Sequence, residues 1–166
     1  MNRLSTSVIT LSLLLSFSLF AEESSSMQKP IDQRSFRLGS VSTFSELVGV
    51  GVKKLALSSA LLPAEMDDMA SDIVRIAKGF GVETYRESDL IVTDLFPADV
   101  ATGKDVMLLY IGSTLDEYKA LKKHKAKLVK SGKYKGEARK DVAIQFGKLL
   151  SYPLANIEGK INKNSH

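Results

Sequence analysis

The apolar and polar positions of this chain change period several times along its length. Beyond residue 30, the longest unbroken apolar run is Val106 to Ile111. A strand covered on both faces loses its alternation and reads as such a run, so this segment predicts the centre of a small sheet. Gly112 ends the run, and Ser113 and Thr114 open a helical stretch. Thr114-Leu115-Asp116-Glu117 fits a capping box and predicts a helix over Leu115 to Lys130, stopped by Ser131-Gly132.

Other stretches carry helical period. Met66, Met69, Ala70, Ile73 and Phe80 form an apolar stripe, with Pro63 suited to the first turn and Gly79 and Gly81 as stops. Glu137 to Leu150 predicts a further helix, ended by Ser151-Tyr152-Pro153. Leu154, Ile157 and Ile161 mark a short terminal one.

The first part of the domain reads less evenly. Phe36, Leu38 and Ser40 alternate with polar residues, which predicts a short strand over Ser35 to Val41. Thr43-Phe44-Ser45-Glu46 fits a second capping box, with a helix running on towards Leu62 across Gly49 and Gly51. A strand over Leu55 to Leu61 is the rival assignment; Leu, Ala and Ser are not β-branched, which favours helix. Val82 to Tyr85 and Leu90 to Phe96 predict two strands joined by a turn at Arg86 to Asp89. Pro97 to Lys104 predicts a loop or short helix. Together these elements predict a single α/β (or α+β) domain, with four to five helices packed around a small central sheet.

The N-terminus is set apart by its own pattern. Arg3 precedes an apolar stretch from Val8 to Phe20, broken only by Thr and Ser. Ala21 and the polar run Glu22 to Ser26 follow. The stretch is shorter than the roughly 20 residues that span a bilayer. It reads as a secretory signal peptide over residues 1–21, followed by a flexible leader over 22–34 and the domain over 35–166. Export to the periplasm is expected, with secretion as the variant, and no transmembrane segment is expected after signal cleavage. The chain has no cysteine, which excludes a disulfide framework and lipoprotein acylation.

Charge then changes the picture. From Glu22 to Tyr118 there are nine Lys/Arg and sixteen Asp/Glu, a net of −7. From Lys119 to His166 there are thirteen and three, a net of +10. Such asymmetry marks either an interaction surface or two halves that neutralise each other on folding. Ten of the basic residues fall between Lys119 and Lys140. On a helical wheel, Leu115, Tyr118, Leu121, Leu128 and Val129 share one arc, and Lys122 and Lys125 fall inside it. Their stems either cover apolar surface or line a cleft and meet an anion. Arg139 projects into the apolar arc of Ala138, Val142, Ala143, Phe146 and Leu149. It needs a partner, either an internal carboxylate or a ligand's carboxylate or phosphate. Ser113 and Thr114 are further anion candidates, because a helix N-terminus presents free N–H groups.

Catalytic signatures are absent. Thr102-Gly103-Lys104-Asp105 lacks the first Gly and the final Ser/Thr of a phosphate loop. Gly49-Val50-Gly51 has Lys54 where a dinucleotide fingerprint needs Gly. The chemistry available near the basic segment is Tyr118 and His124. Glu65, Asp68 and Asp72 share one helix face, which reads as a solvated face rather than a metal site. No cofactor and no metal are expected.

The last third, from Tyr110-Ile111-Gly112 through Phe146-Gly147-Lys148-Leu149-Leu150-Ser151-Tyr152-Pro153, resembles an uncharacterised, mainly archaeal domain family. That family carries a strand–helix arrangement and a G-x-L-L-G-Y-P-type segment followed by paired cysteines. Leu55 to Pro63 resembles its earlier part. Here Ser151 stands at the Gly of that segment, and Leu154 to Ile157 contains no Cys. The resemblance therefore implies a fold and no thiol or metal role.

The function expected from these observations is a non-enzymatic exported binding protein. Its basic surface would meet an anionic ligand, polymer or acidic protein surface. The alternative is a small hydrolase or transferase on an anionic substrate. Nucleic acid is not expected, since only Tyr118 and Tyr134 interleave with the basic run.

Overall fold

The computed structural model describes residues 30–96 and 98–164. The expected signal peptide and most of the leader lie outside the described residues. One compact unit begins at Asp32. It contains α1 (Gln33–Gly49), β1 (Leu55–Leu57), α2 (Pro63–Gly79), β2 (Glu83–Glu87), α3 (Ala98–Ala101), β3 (Val106–Tyr110), α4 (Thr114–Lys130), α5 (Gly136–Leu149) and α6 (Leu154–Asn164). Helices and a small antiparallel sheet make this an α+β domain.

The strand order is β1-β3-β2, and both neighbours run antiparallel to β3. Every β3 residue is buried, and the two faces of the sheet explain why. Val106, Leu108 and Tyr110 join the core formed with Tyr118, Leu121, Val142, Phe146 and Ile157 of α4, α5 and α6. Met107 and Leu109 join Val41, Val48, Met66, Met69 and Ile73 of α1 and α2. The unbroken apolar run thus encodes a strand sandwiched between two helical layers.

The first part of the domain departs from expectation. Ser35 to Val41 is not a strand but the opening of α1, and the helix begins within the expected leader. Its N-cap is Asp32, whose side chain accepts from the Arg34 N–H at 3.1 Å. Thr43 does not cap a helix; it lies inside α1, and its hydroxyl donates to the Gly39 carbonyl. The helix stops at Gly49, so the expected continuation to Leu62 gives way to β1, which is the first three residues of the rival strand, with an isolated bridge at Leu61. A Cβ at Gly49 would sit 2.7 Å from the Phe80 carbonyl oxygen, so glycine there permits the ends of α1 and α2 to meet.

Leu90 to Phe96 is not a strand either. The segment is largely buried, but its N–H groups go to side chains and to its own turn, where Thr93 and Phe96 exchange backbone hydrogen bonds. Ile91 N–H donates to the Tyr118 hydroxyl and Leu95 N–H to Thr93 Oγ1. A buried backbone needs partners but not necessarily a ladder. At α4 the expected capping box does not form. Ser113 is the N-cap without a side-chain cap bond, and Thr114 Oγ1 donates backwards to the Ile111 carbonyl at 3.0 Å.

The acidic half spends much of its charge internally. Arg34 bridges Asp68 and Asp72, Arg37 meets Glu65, and Arg86 joins Asp105 to Asp67. The carboxylates on the outward face of α2 are therefore ion-pair partners of α1. Bonds from Arg75 and Arg34 hold the Asp72 carboxyl below its ordinary value, and Arg37 does the same for Glu65. The unfolded chain therefore takes up these protons first as pH falls. The contribution is complete above the unfolded values of about 4 and is lost as pH drops through the lower folded values. The urea midpoint is expected to fall as pH drops below about 4, and paired Arg34→Gln and Arg37→Gln substitutions should flatten that slope. An unchanged slope would show that these exposed pairs contribute nothing measurable.

Candidate anion-binding site

Seven of the ten cations between Lys119 and Lys140 sort into an inner, engaged set, of which Arg139 is itself half exposed, and an outer row. The inner set contains the three cations singled out from sequence, and each is already engaged. Lys122 donates to Glu87 Oε1 at 3.1 Å and pairs with Asp89 Oδ2 at 3.0 Å, and it also bonds the Asp89 carbonyl. Burial works against its charge, but the bonds to Asp89 and Glu87 together outweigh that and hold its ammonium above the ordinary lysine value. Arg139 is clasped to Asp94 through Nε at 2.9 Å and through Nη2. Asp94 is 8% exposed, so the internal-carboxylate alternative is the one realised. Lys125 has no carboxylate bond; its Nζ lies 5.2 Å from the Tyr134 ring centroid, and burial pushes its pKa down.

Two small cavities share Lys125. One of about 330 Å³ includes Asp89, Lys122 and Lys130, and one of about 200 Å³ includes Asp94, Tyr134 and Arg139. The structure therefore does bring Lys122, Lys125 and Arg139 to one strip of surface beside residues 89–94. It brings Glu87, Asp89 and Asp94 there as well, three carboxylates to these three cations.

Ser113 and Thr114 are not part of this strip. They lie at the other end of α4, about 16 Å from Lys125 at 1.5 Å per residue. Ser113 is exposed, whereas Thr114 is buried and bonded to Ile111. Tyr118 is fully buried, donating to Glu87 Oε2 at 3.0 Å and accepting from Ile91. Burial, followed by the Glu87 charge, pushes its phenol far above the ordinary range, so it stays a donor. His124 faces elsewhere: it is exposed and lines a cavity of about 540 Å³ with Lys54, Glu117, Gln145 and Lys148. The two residues considered for chemistry therefore do not meet.

The outer set consists of Lys119, Lys123, Lys127 and Lys130. All four are exposed, and none pairs with a carboxylate among the described residues. At 100° per residue they fall within one 80° arc, opposite the buried positions Thr114, Tyr118 and Leu121. Lys119 lies over the Tyr85 ring, 4.6 Å from its centroid; the other three project without such a contact. The row falls outside the apolar arc in which Lys122 and Lys125 stand out. The spacing i, i+4, i+8, i+11 was the available signal.

No protein-family model, no curated protein and no solved structure matches the chain. Among the described residues, no helix is long and apolar enough to cross a membrane.

Proposed function

We propose that this chain is an exported, non-enzymatic binding protein that docks on a linear anionic polymer through the outward face of α4. The observation that carries the proposal is the row Lys119, Lys123, Lys127 and Lys130, exposed and unpaired. The row extends about 16 Å along the helix axis. A row of that length suits repeated charges on an extended partner better than a single small anion. Export rests on the signal-like sequence of residues 1–21, and the periplasm is the compartment proposed. The alternative hydrolase or transferase needs Lys122, Lys125 and Arg139 free for a substrate. The bonds of Lys122 to Glu87 and Asp89, and of Arg139 to Asp94, favour the binding protein over it.

Long-chain polyphosphate is a suitable probe. Counterion release from a flexible single-stranded polyanion gives a slope of about −0.7 in log affinity against log salt for each contact. Four lysine contacts predict a slope near −3. Calorimetric titration across a range of sodium chloride concentrations measures it. Affinity that does not change with salt, or no binding at low salt, would remove the proposal.

A further inference from the structure

A different cavity, of about 420 Å³, opens beside β1 and owes nothing to the α4 lysine row. Its walls include Phe44, Leu57, Leu90, Phe96, Val106 and Leu150, drawn from α1, the sheet, the 90–96 segment and the end of α5. Ligand pockets of proteins run from roughly 300 to 1,000 Å³, mostly apolar with a few placed polar groups, and this cavity has that make-up.

One of its polar groups is a cation. Lys53 is half-buried, and its Nζ donates to the Leu150 carbonyl at 2.7 Å and lies 5.1 Å from the Tyr152 ring centroid. It pairs with no carboxylate among the described residues, unlike Lys122 and Arg139. The Leu150 bond has a structural use, since that carbonyl belongs to the open C-terminal end of α5. It accounts for one of three ammonium N–H groups and leaves capacity for an incoming anion. Burial pushes the Lys53 pKa down, and a bound carboxylate would restore the stability of the charge.

The adjoining turn is held in an uncommon shape. Ser151 has φ +60°, a left-handed conformation that side-chain-bearing residues seldom adopt. Its Oγ accepts from the Lys54 N–H at 2.8 Å. Lys53 and Lys54 thus clamp residues 150–151 side by side, and this fixes Lys53 against the cavity.

We propose that this cavity binds a single-chain amphipathic carboxylate of the fatty-acid type. Its chain would lie among Phe44, Leu57, Leu90 and Val106, with its carboxylate on Lys53. The site is separate from the polymer-binding face, so either can fail without the other.

The test is a calorimetric titration of the full chain with hexanoate, octanoate and decanoate, each below its micelle concentration, with decanol as the uncharged control. Burial contributes about 0.8 kcal/mol per methylene, so affinity should rise about fourfold for each one added. A charge-assisted hydrogen bond contributes roughly 1.5–3 kcal/mol, so decanol should bind about ten- to a hundredfold more weakly than decanoate. Lys53→Met should remove most of the preference for decanoate over decanol, and decanol titrated into the variant separates loss of the charge from damage to the cavity. Amide shifts in an NMR titration should fall on Leu57, Leu90 and Val106. No saturable binding, or affinity independent of chain length, overturns the proposal without any variant. Decanoate binding that survives Lys53→Met and shifts the α4 lysines instead also overturns it.

Discussion

Replacing Lys119, Lys123, Lys127 and Lys130 together by Gln is expected to lower affinity for long-chain polyphosphate by about a hundred- to a thousandfold at physiological salt. The magnitude has two sources that agree. Lysines at an anionic surface contribute about 1 kcal/mol each, which for four is about three decades. Counterion release at the single-strand slope gives somewhat more than two. The fold should not suffer. All four side chains point away from the core, and like charges at i, i+4 destabilise a helix by about 0.2–0.5 kcal/mol per pair. The pairs Lys119–Lys123 and Lys123–Lys127 are of that kind. Loss of the Lys119–Tyr85 contact and of two last-turn cations offsets that relief, so the variant should stay within about 1 kcal/mol of the parent by urea denaturation. Lys123, Lys127 and Lys130 have neither a carboxylate nor an aromatic partner among the described residues, so the row needs a reason outside the fold. The comparison variant is Arg139→Gln, which leaves Asp94 without its partner. It should lose stability yet keep polyphosphate affinity. If the four-lysine variant binds as the parent does, the α4 face is only a solvated surface.

The same contrast shows how far the sequence could be read. The centre of the sheet was legible because β3 is covered on both sides by side chains, so no residue from Val106 to Tyr110 could be polar. The stripe of α2 was legible because Met66, Met69 and Ile73 are both apolar and buried. In α1 the pattern misleads. Its buried positions are Val41, Ser45 and Val48, while Phe36 is 60% exposed. Phe36 lies off the face that Leu38, Val41, Phe44 and Val48 mark, and Ser45 interrupts it, so the N-terminal residues of this helix alternate like a strand.

The candidate site was partly legible for a similar reason. Arg139 in an apolar arc announced that it needed a partner. That the partner is Asp94, 45 residues away, depends on an irregular segment that reads as a strand. Lys122 finds Glu87 across 35 residues in the same way. Long-range ion pairs are set by how elements dock, and docking is not written in local periodicity. Lys53 gave still less signal, because its surroundings come from α1, the sheet and the α5–α6 turn. Its separation from Leu150 is 97 residues.

Phe146→Ala is expected to cost about 3–5 kcal/mol, the range for removing a buried aromatic ring. Phe146 is fully buried in the larger core. Its ring meets Phe96 edge-on at 5.8 Å and Tyr118 at 6.2 Å between centroids. It thus joins α5 to α4 and to the irregular 90–96 segment. Such contacts add about 0.5–1.5 kcal/mol beyond area burial, and the gap left by alanine has rigid neighbours on both sides. Gly147, the next residue, leaves no room for inward collapse from α6, since a Cβ there would already lie 2.6 Å from Ile157 Cγ1. The loss should spread to the polar network, because Tyr118 holds Glu87 and Glu87 holds Lys122. Against a typical total of about 5–15 kcal/mol, the variant should show a lower urea midpoint at unchanged m-value. Phe146→Leu should recover much of the difference. A loss under about 1 kcal/mol for Phe146→Ala would mean that the layer formed by α4, α5 and α6 does not pack around this ring. The outward direction of the α4 lysines would then lose its foundation, because Tyr118 and Leu121 orient that helix against the same core.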